Sequence, residues 1–154
     1  MTHSLPSTSL ERDGIARLIP HSGAMCLLER VLEWDETRIL CQATSHLLAD
    51  NPLRTSSGLL ATAAIEYAAQ AMAVHGALLA QGAGQAAMPG MLASARSVTL
   101  HCLRLDELMQ PLDVRAERLA GDDRQLLYAF EVSHAGDPVA TGRATVVLDV
   151  SESP

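Results

Sequence analysis

Ser45–Gly76 reads SHLLADNPLRTSSGLLATAAIEYAAQAMAVHG, a polar loop followed by a long run of small and apolar residues. No proline interrupts residues 57–80, and the Ala, Leu, Met, Glu and Gln that dominate there all favour helix. We therefore predict one long helix over Ser57–Ala80, with N-cap candidates at 55–57. Because this helix is apolar on nearly every side, we expect other elements to cover most of it. Polar residues recur in it too often for a membrane span.

Glu66 is the one charged residue of the predicted helix. Thr62 lies four residues before it and Gln70 four residues after it, so all three share one helix face. Carboxylates are seldom buried without a partner or a functional role, so Glu66 is a candidate catalytic residue. The alternative is a solvated polar stripe at a domain or subunit boundary. His75 lies half a turn out of phase with Glu66, and we expect it to be structural.

Composition and charge bound the class of protein. The 154 residues suit a single domain, 1–154, and a hydrophobic content of 48% is that of a globular protein. The net charge of −7 and the lack of a basic run argue against nucleic-acid binding. Three cysteines, Cys26, Cys41 and Cys102, have no metal-type spacing and are odd in number, so we expect free thiols and no metal site.

The N-terminal residues bear on the expected compartment of the protein. The first twenty residues lack the basic start and apolar run of a secretion signal, so we expect a cytoplasmic protein that does not bind a membrane. Residues 1–9 and 151–154 are expected to be disordered.

Outside the long helix, the pattern is mainly that of strands and turns. Residues 10–19 suit a short helix that Pro20 ends. Alternation of apolar and polar residues predicts strands over Met25–Trp34, Arg38–Ser45, Met91–Leu103, Leu112–Leu119, Arg124–Ser133 and Val139–Val150.

This order of elements predicts an α+β fold. The sheet must bury one face, and a single apolar helix is available to cover it. We therefore expect a hot-dog fold, an antiparallel sheet of five to six strands wrapped around one long central helix. A lone copy would leave an edge strand and part of the helix exposed. At least a dimer, with two sheets joined edge to edge, is expected for that reason.

Two stretches resemble the bacterial 3-hydroxyacyl-ACP dehydratases of the FabZ type. In Leu18–Trp34, LIPHSGAMCLLERVLEW, the Pro-His pair and the ERVLE segment match the opening of that family. IEYAAQA at Ile65–Ala71 is similar to the Glu-Ala-Leu-Ala-Gln-Ala helix of the family. The loop SHLLADNP, 45–52, keeps the histidine and the Asn-Pro of the family but lacks both of its glycines and its Phe-Pro. More specifically, NPLR…IEYAAQAMAVHG looks like the divergent dehydratase-like hot-dog proteins encoded with aryl polyene pigment pathways.

The resemblance implies dehydration of a 3-hydroxyacyl thioester to a trans-2-enoyl thioester, in a fatty acid or polyene pathway and without a cofactor. It implies His46 as the base that takes the C2 proton and Glu66 as the acid that protonates the leaving hydroxyl. It implies Gly58, near the predicted helix start, as an amide donor to the thioester oxygen and Gln70 as a second substrate-binding residue. In the family, the His and the Glu come from opposite subunits.

The resemblance also implies partners. The substrate would be an acyl chain on the phosphopantetheine arm of an acyl carrier protein. Because that carrier is acidic, we expect arginines near the mouth of the acyl tunnel, with Arg54, Arg96 and Arg104 as candidates. The expected assembly is a homodimer or a heterodimer with another hot-dog subunit.

Two other functions stay open at the level of sequence. In a hot-dog thioesterase, Glu66 would activate water and His46 would be incidental. Replacing His46 by Ala would separate the two activities, since dehydration should collapse and thioester hydrolysis should persist. The third possibility is a non-catalytic partner of a second hot-dog dehydratase, in which the altered loop no longer positions His46.

Overall fold

The computed structural model describes residues 2–3, 10–19, 23–86 and 88–148. Within these ranges, helix α1 spans Arg12–Leu18, the long helix α2 spans Ala64–Gly82, and eight strands build one antiparallel sheet. Two strands, β1 Thr2–His3 and β2 Leu10–Glu11, have two residues each. The other six are β3 Arg30–Asp35, β4 Arg38–Ala43, β5 Gly90–Leu100, β6 Leu112–Gly121, β7 Gln125–His134 and β8 Asp137–Leu148.

The sheet runs in the order β1-β3-β4-β6-β7-β8-β5, with β2 also paired to β3. It buries one face because apolar residues alternate along its strands, as Tyr128, Phe130 and Val132 do on β7. That face packs on α2, which contacts β4, β6 and β7 most extensively. The prediction of an α+β hot-dog fold, an antiparallel sheet around one long helix, is confirmed. The predicted five to six strands were too few, because two short strands bring the sheet to eight in the described ranges.

Helix α2 is the centre of the core. Ten of its 19 residues are buried, so the expectation of a largely covered helix holds. Its C-terminus is closed by Gly84, whose φ of +70° lets the following amides turn back onto the last carbonyls of the helix. Neither α1 nor α2, the two α-helices of the described ranges, has the length and apolar character needed to cross a membrane.

The two edges of the sheet differ. At one edge, β1 and β2 cover part of β3. At the other edge, β5 pairs with β8 and with no further described strand. No residue of β5 is fully buried, and Met91 is 73% exposed. The sheet therefore presents one long open edge of the kind that joins another chain.

Helix α2 begins at Ala64, well after the predicted start at Ser57. Thr55 and Gly58 close a tight turn by exchanging backbone hydrogen bonds. Residues 59–61 then hydrogen-bond to residues 103–105 and do not enter the helix. The predicted start was wrong because pairing with a distant segment outweighs local helix propensity.

The strand predicted over Met25–Trp34 was also too long. Only Arg30–Asp35 is strand, and it follows a 3₁₀ turn at Gly23–Met25 and an irregular segment. In that irregular segment, the backbone N–H of Leu27 donates a hydrogen bond to the Gln70 side chain of α2. The segment is therefore not paired in the sheet. The short helix and the other predicted strands lie close to their predicted bounds.

The predicted disorder of residues 1–9 is wrong for Thr2–His3, which pair with Trp34 and Asp35. Residues 4–9 and 151–154 lie outside the described residues, as does His21.

Candidate active site

Glu66 lies in the first turn of α2, is half-buried and lines two cavities. The smaller, about 410 Å³, opens between the loop 53–60 and the start of α2, and the exposed Thr62 shares its wall. The larger, about 510 Å³, follows α2 between the helix and strands β5, β7 and β8. A carboxyl placed between these two spaces can meet a substrate that enters through one and extends into the other.

The wall of the larger cavity is mainly apolar. Its helix side carries the small residues Ala69, Ala73, Gly76 and Ala77, and its sheet side carries Leu92, Leu126, Val146 and Leu148. A Cβ added at Gly76 would meet no atom within 4 Å, so this side of α2 borders open space. The cavity is an apolar channel with Glu66 on the first turn of its helix wall, and it suits a flexible acyl chain.

Gln70, the predicted substrate-binding residue, is 1% exposed and uses its amide within the chain. Its Oε1 accepts the Leu27 N–H at 2.9 Å, and its Nε2 donates to Met25 O at 2.7 Å. Gln70 also borders the larger cavity. It fixes the segment before β3 against α2, and its role in substrate binding stays a prediction.

Tyr67 and Asn51 anchor the loop that carries His46. The Tyr67 hydroxyl lies 2.7 Å from Ser45 Oγ and accepts from Asn51 Nδ2 at 3.1 Å. Asn51 Nδ2 also donates to Ser45 O at 2.9 Å. Burial raises the pKa of Tyr67, which keeps its hydroxyl protonated. Asn before Pro is a turn signal in the sequence, but no local pattern joins Asn51 to a helix residue 16 positions later.

His46 lies in the 3₁₀ turn Ser45–Leu47, and its ring is fully buried. Its Nε2 is 2.8 Å from Leu108 O, so in the neutral ring Nε2 carries the proton and Nδ1 the lone pair. Burial lowers the pKa of His46 and so favours that neutral ring. Nδ1 is buried and has no hydrogen-bond partner among the described residues.

The predicted pair, His46 and Glu66, does not share a cavity within the single chain. His46 has the neutral ring and free lone pair that a general base needs. It lines neither of the two cavities that Glu66 lines. Since the pair is expected to form across a dimer, its catalytic role stays a prediction.

Gly58 lies in the loop before α2 and not at the helix start where it was expected. Its N–H donates to Thr55 O at 3.0 Å, so this amide already has an acceptor. Its φ is +95°, and a Cβ here would lie 2.7 Å from the Arg104 guanidinium. The helix-terminal location was wrong, and any role of Gly58 as a donor to substrate stays a prediction.

Arg54 and Arg104 lie beside the loop of the smaller cavity, and both contact Asp106, at 3.4 and 2.6 Å. Asp106 also accepts the N–H of Leu59 at 3.1 Å. The hydrogen bond from Arg104 holds the pKa of the Asp106 carboxyl well below its usual range. This cluster fixes the loop in front of α2. Arg96 lies on β5 and lines neither cavity of Glu66.

His75 joins the second half of α2 to the sheet. Its Nε2 lies 2.8 Å from Asp35 O and its Nδ1 lies 2.7 Å from the Tyr128 hydroxyl. Arg118 donates to that same hydroxyl from Nε and Nη2, so the hydroxyl proton faces Nδ1. Burial lowers the pKa of His75. The contacts of His75 are those of a structural residue.

Solved structures with the same fold come from several bacteria. The dehydratase heterocomplex ApeI:P from Xenorhabdus doucetiae contains a chain that is 27% identical to this one, with a TM-score of 0.78 over 87% of this chain and 90% of that one. A hypothetical thioesterase with coenzyme A from Streptococcus pneumoniae TIGR4 is 11% identical, with a TM-score of 0.53 over 80% of this chain and 87% of that one. AziG of S. sahachiroi is 18% identical, with a TM-score of 0.54 over 77% of this chain and 88% of that one. The last two show the fold alone.

The fold thus defines a protein of the hot-dog class. Residues 14–152 match the ApeP-like family model, which describes the ApeP dehydratases. This chain belongs to the ApeP-like family of dehydratases, and the resemblance to dehydratase-like hot-dog proteins is confirmed. A comparison with curated proteins finds no match.

Proposed function

We propose that this dehydratase acts on 3-hydroxyacyl thioesters and that Glu66 is the acid of its active site. The observation that carries the proposal is the position of Glu66, half-buried on the first turn of α2 and in the walls of both cavities. The apolar channel beyond it takes the acyl chain, which sets the reacting carbons beside the carboxyl.

The reaction needs one acid and one base on either side of those carbons. The base removes a proton from C2, and the electron pair of that C–H bond forms the C2–C3 double bond. The C3–O bond breaks, and the hydroxyl takes the proton of Glu66 and leaves as water.

The base opposite Glu66 is, in this proposal, a histidine of a second hot-dog subunit. His46 is the predicted base of the other site of the dimer, opposite the carboxylate of the partner subunit. Its Nδ1 is covered in this conformation, so the loop around it has to move before a substrate reaches it. We therefore expect the Glu66 site to carry most of the turnover.

The partner subunit joins along β5 in this proposal. The free edge offers backbone donors and acceptors over the 11 residues of that strand. The relative from Xenorhabdus doucetiae is a heterocomplex, which supports a partner with a different sequence. In this chain His46 is fully buried, whereas Glu66 is half-buried and lines two cavities. A heterodimer agrees with this difference in accessibility.

An acyl carrier protein is the proposed source of the acyl chain, and an aryl polyene or fatty acid pathway is the proposed setting. The volume and apolar wall of the channel support an acyl substrate. The cytoplasm is the proposed compartment, in keeping with the free thiols of Cys26, Cys41 and Cys102. The Michaelis constant should be lower for a carrier-bound substrate than for the same acyl group on coenzyme A.

The test compares wild type with Glu66→Gln in the complex with its hot-dog partner. The substrate is a 3-hydroxyacyl thioester of the carrier protein, and the readout is the absorbance of the conjugated product. Glutamine keeps the size of the side chain but has no acidic proton. The kcat should fall at least about 100-fold, while the thermal midpoint of the complex stays within about 2 °C.

The matched control is Glu107→Gln, which removes an exposed carboxylate that contacts Arg104 at 3.6 Å. It should leave kcat unchanged. His46→Asn measures the share of the second site and should cost less than half of kcat. A Glu66→Gln complex with kcat within twofold of wild type contradicts the proposal. If His46→Asn also leaves kcat unchanged, this chain is a non-catalytic subunit. Thioester hydrolysis without dehydration would favour the thioesterase alternative.

A further inference from the structure

The outer face of the sheet pairs opposite charges at its centre but like charges at its open edge. Arg38 of β4 lies opposite Glu117 of β6, where the charges complement one another. At the free edge, Arg96 of β5 lies directly opposite Arg143 of β8. Like charges in directly opposite cross-strand positions destabilise a sheet. This pair therefore needs an explanation that the fold of one chain does not supply.

Neither arginine forms an ion pair within the described part of the chain, and Glu131 of β7, the diagonal neighbour of Arg143 in a shared groove, lies directly opposite Arg115. Both arginines of the pair are exposed. On its other side, Arg143 lies opposite the uncharged Ala129 of β7, while Arg96 borders the open edge. Asp122 shares their cavity of about 450 Å³, but its carboxylate accepts two backbone N–H groups of its own turn.

Joining two copies of this chain along β5 would make the repulsion worse. β5 spans Gly90–Leu100, so antiparallel pairing over its full length places the Ala95 residues of the two copies opposite each other. The two Arg96 residues are then diagonal neighbours, roughly 7–8 Å apart. With Arg143 beside each of them, four guanidinium groups lie on one face at the joint. The repulsion between these four positive side chains is local. The chain as a whole is negatively charged, with a net charge of −7.

We propose that Arg96 and Arg143 select the partner subunit that joins at β5. The pair disfavours a second copy of this chain and favours a hot-dog subunit that carries acidic side chains on the outer face of its own edge strand. The proposal rests on the proposed function only in taking β5 as the interface. It involves neither Glu66 nor His46.

The test uses this chain and a charge-reversed copy, Arg96→Glu with Arg143→Glu, each with a different affinity tag. The reversed copy stands in for the acidic partner. After mixing in equal amounts at low salt, the mixed pair should be captured roughly tenfold more than either like pair. The preference should fall toward the statistical ratio at about 0.5 M NaCl, because salt screens exposed charges. The control copy, Arg96→Lys with Arg143→Lys, should gain no preference.

A second measurement tests the proposal even if the charge-reversed copy does not fold. Sedimentation compares the self-association of wild type with that of Arg96→Gln and Arg143→Gln together. The neutral variant should self-associate about fivefold more tightly at low salt, although it makes an already negative chain more negative. Equal capture of mixed and like pairs, or a tight wild-type homodimer that is independent of salt, would overturn the proposal. Repeating the mixing with Glu66→Gln in both copies separates this result from the fate of the active-site proposal.

Discussion

The side chains on the two faces of α2 lie in different environments. The inner face consists of Tyr67 and His75, and the outer face consists of Glu66, Ala69, Ala73 and Gly76. Gln70, which is buried and hydrogen-bonded but also borders the channel, lies between the two faces. All polar side-chain atoms of the inner face are buried and hydrogen-bonded to other parts of the chain. The outer face borders the apolar channel and keeps both space and a carboxyl there.

This difference separates side chains that hold the fold from side chains that border space for a ligand. An unpaired polar group in the core costs free energy, so the inner face is satisfied from within the chain. The outer face leaves volume that the chain does not fill, next to a group that can transfer a proton. A polar residue on a buried helix is thus a functional candidate only when it borders such a space.

The largest expected effect on stability comes from Gln70, at the border of the two faces. Gln70→Leu removes both hydrogen bonds of the amide and leaves the Leu27 N–H and the Met25 carbonyl without partners. Since both lie in or beside the core, the free energy of unfolding should fall by about 3 kcal/mol. Urea unfolding of the isolated chain measures it.

The control for that prediction is Ala69→Ser, one position away on the outer face. It should change the free energy of unfolding by less than about 0.5 kcal/mol. If Gln70→Leu is instead as stable as wild type and raises only the Michaelis constant, Gln70 belongs with the substrate-binding residues that the sequence predicts.

The sequence predicts the parts of the fold that depend on local patterns. Alternating runs such as 125–134 predict five strands closely, and a proline-free apolar run predicts the long helix except for its start. The start of α2 was not predictable, because residues 59–61 hydrogen-bond to a segment more than 40 residues later. The irregular segment before β3 was missed for the same reason, since Leu27 bonds to Gln70, 43 residues away.

The sequence identifies the candidate acid of the site, but it does not reveal how the site residues are arranged. Glu66 is visible in the sequence because it is the only charge in a long apolar helix. The burial of His46 against Leu108 depends on a contact 62 residues away, and no local pattern reveals it. The network of His75, Tyr128 and Arg118 likewise joins α2 to a hairpin more than 40 residues further along the chain.

A smaller effect of opposite sign is expected on the outer face. Gly76 is in the middle of α2, and a Cβ there meets no atom within 4 Å. Gly76→Ala should therefore raise the free energy of unfolding by about 0.5–1 kcal/mol through helix propensity alone. The same change narrows the channel, so kcat/KM should fall for long acyl chains more than for short ones. A loss of stability would mean that the outer face is packed, and the contrast between the faces would fail.

The smallest expected effect is a loss of stability between pH 7.5 and 6.5. Burial lowers the pKa of His75 and of His46 in the folded chain, so the unfolded chain binds protons first as the pH falls. Stability is then greatest above the unfolded pKa, near 6.5, and decreases as the pH falls through it. His75→Gln can keep a donor to Asp35 O and should reduce this slope without removing it, because His46 remains. Urea midpoints at both pH values measure the slope. An unchanged slope in His75→Gln would mean that His75 takes up its proton in the folded chain. The Tyr128 hydroxyl would then have to turn its proton away from Nδ1. In that case the inner face is less tightly fixed than its hydrogen bonds indicate.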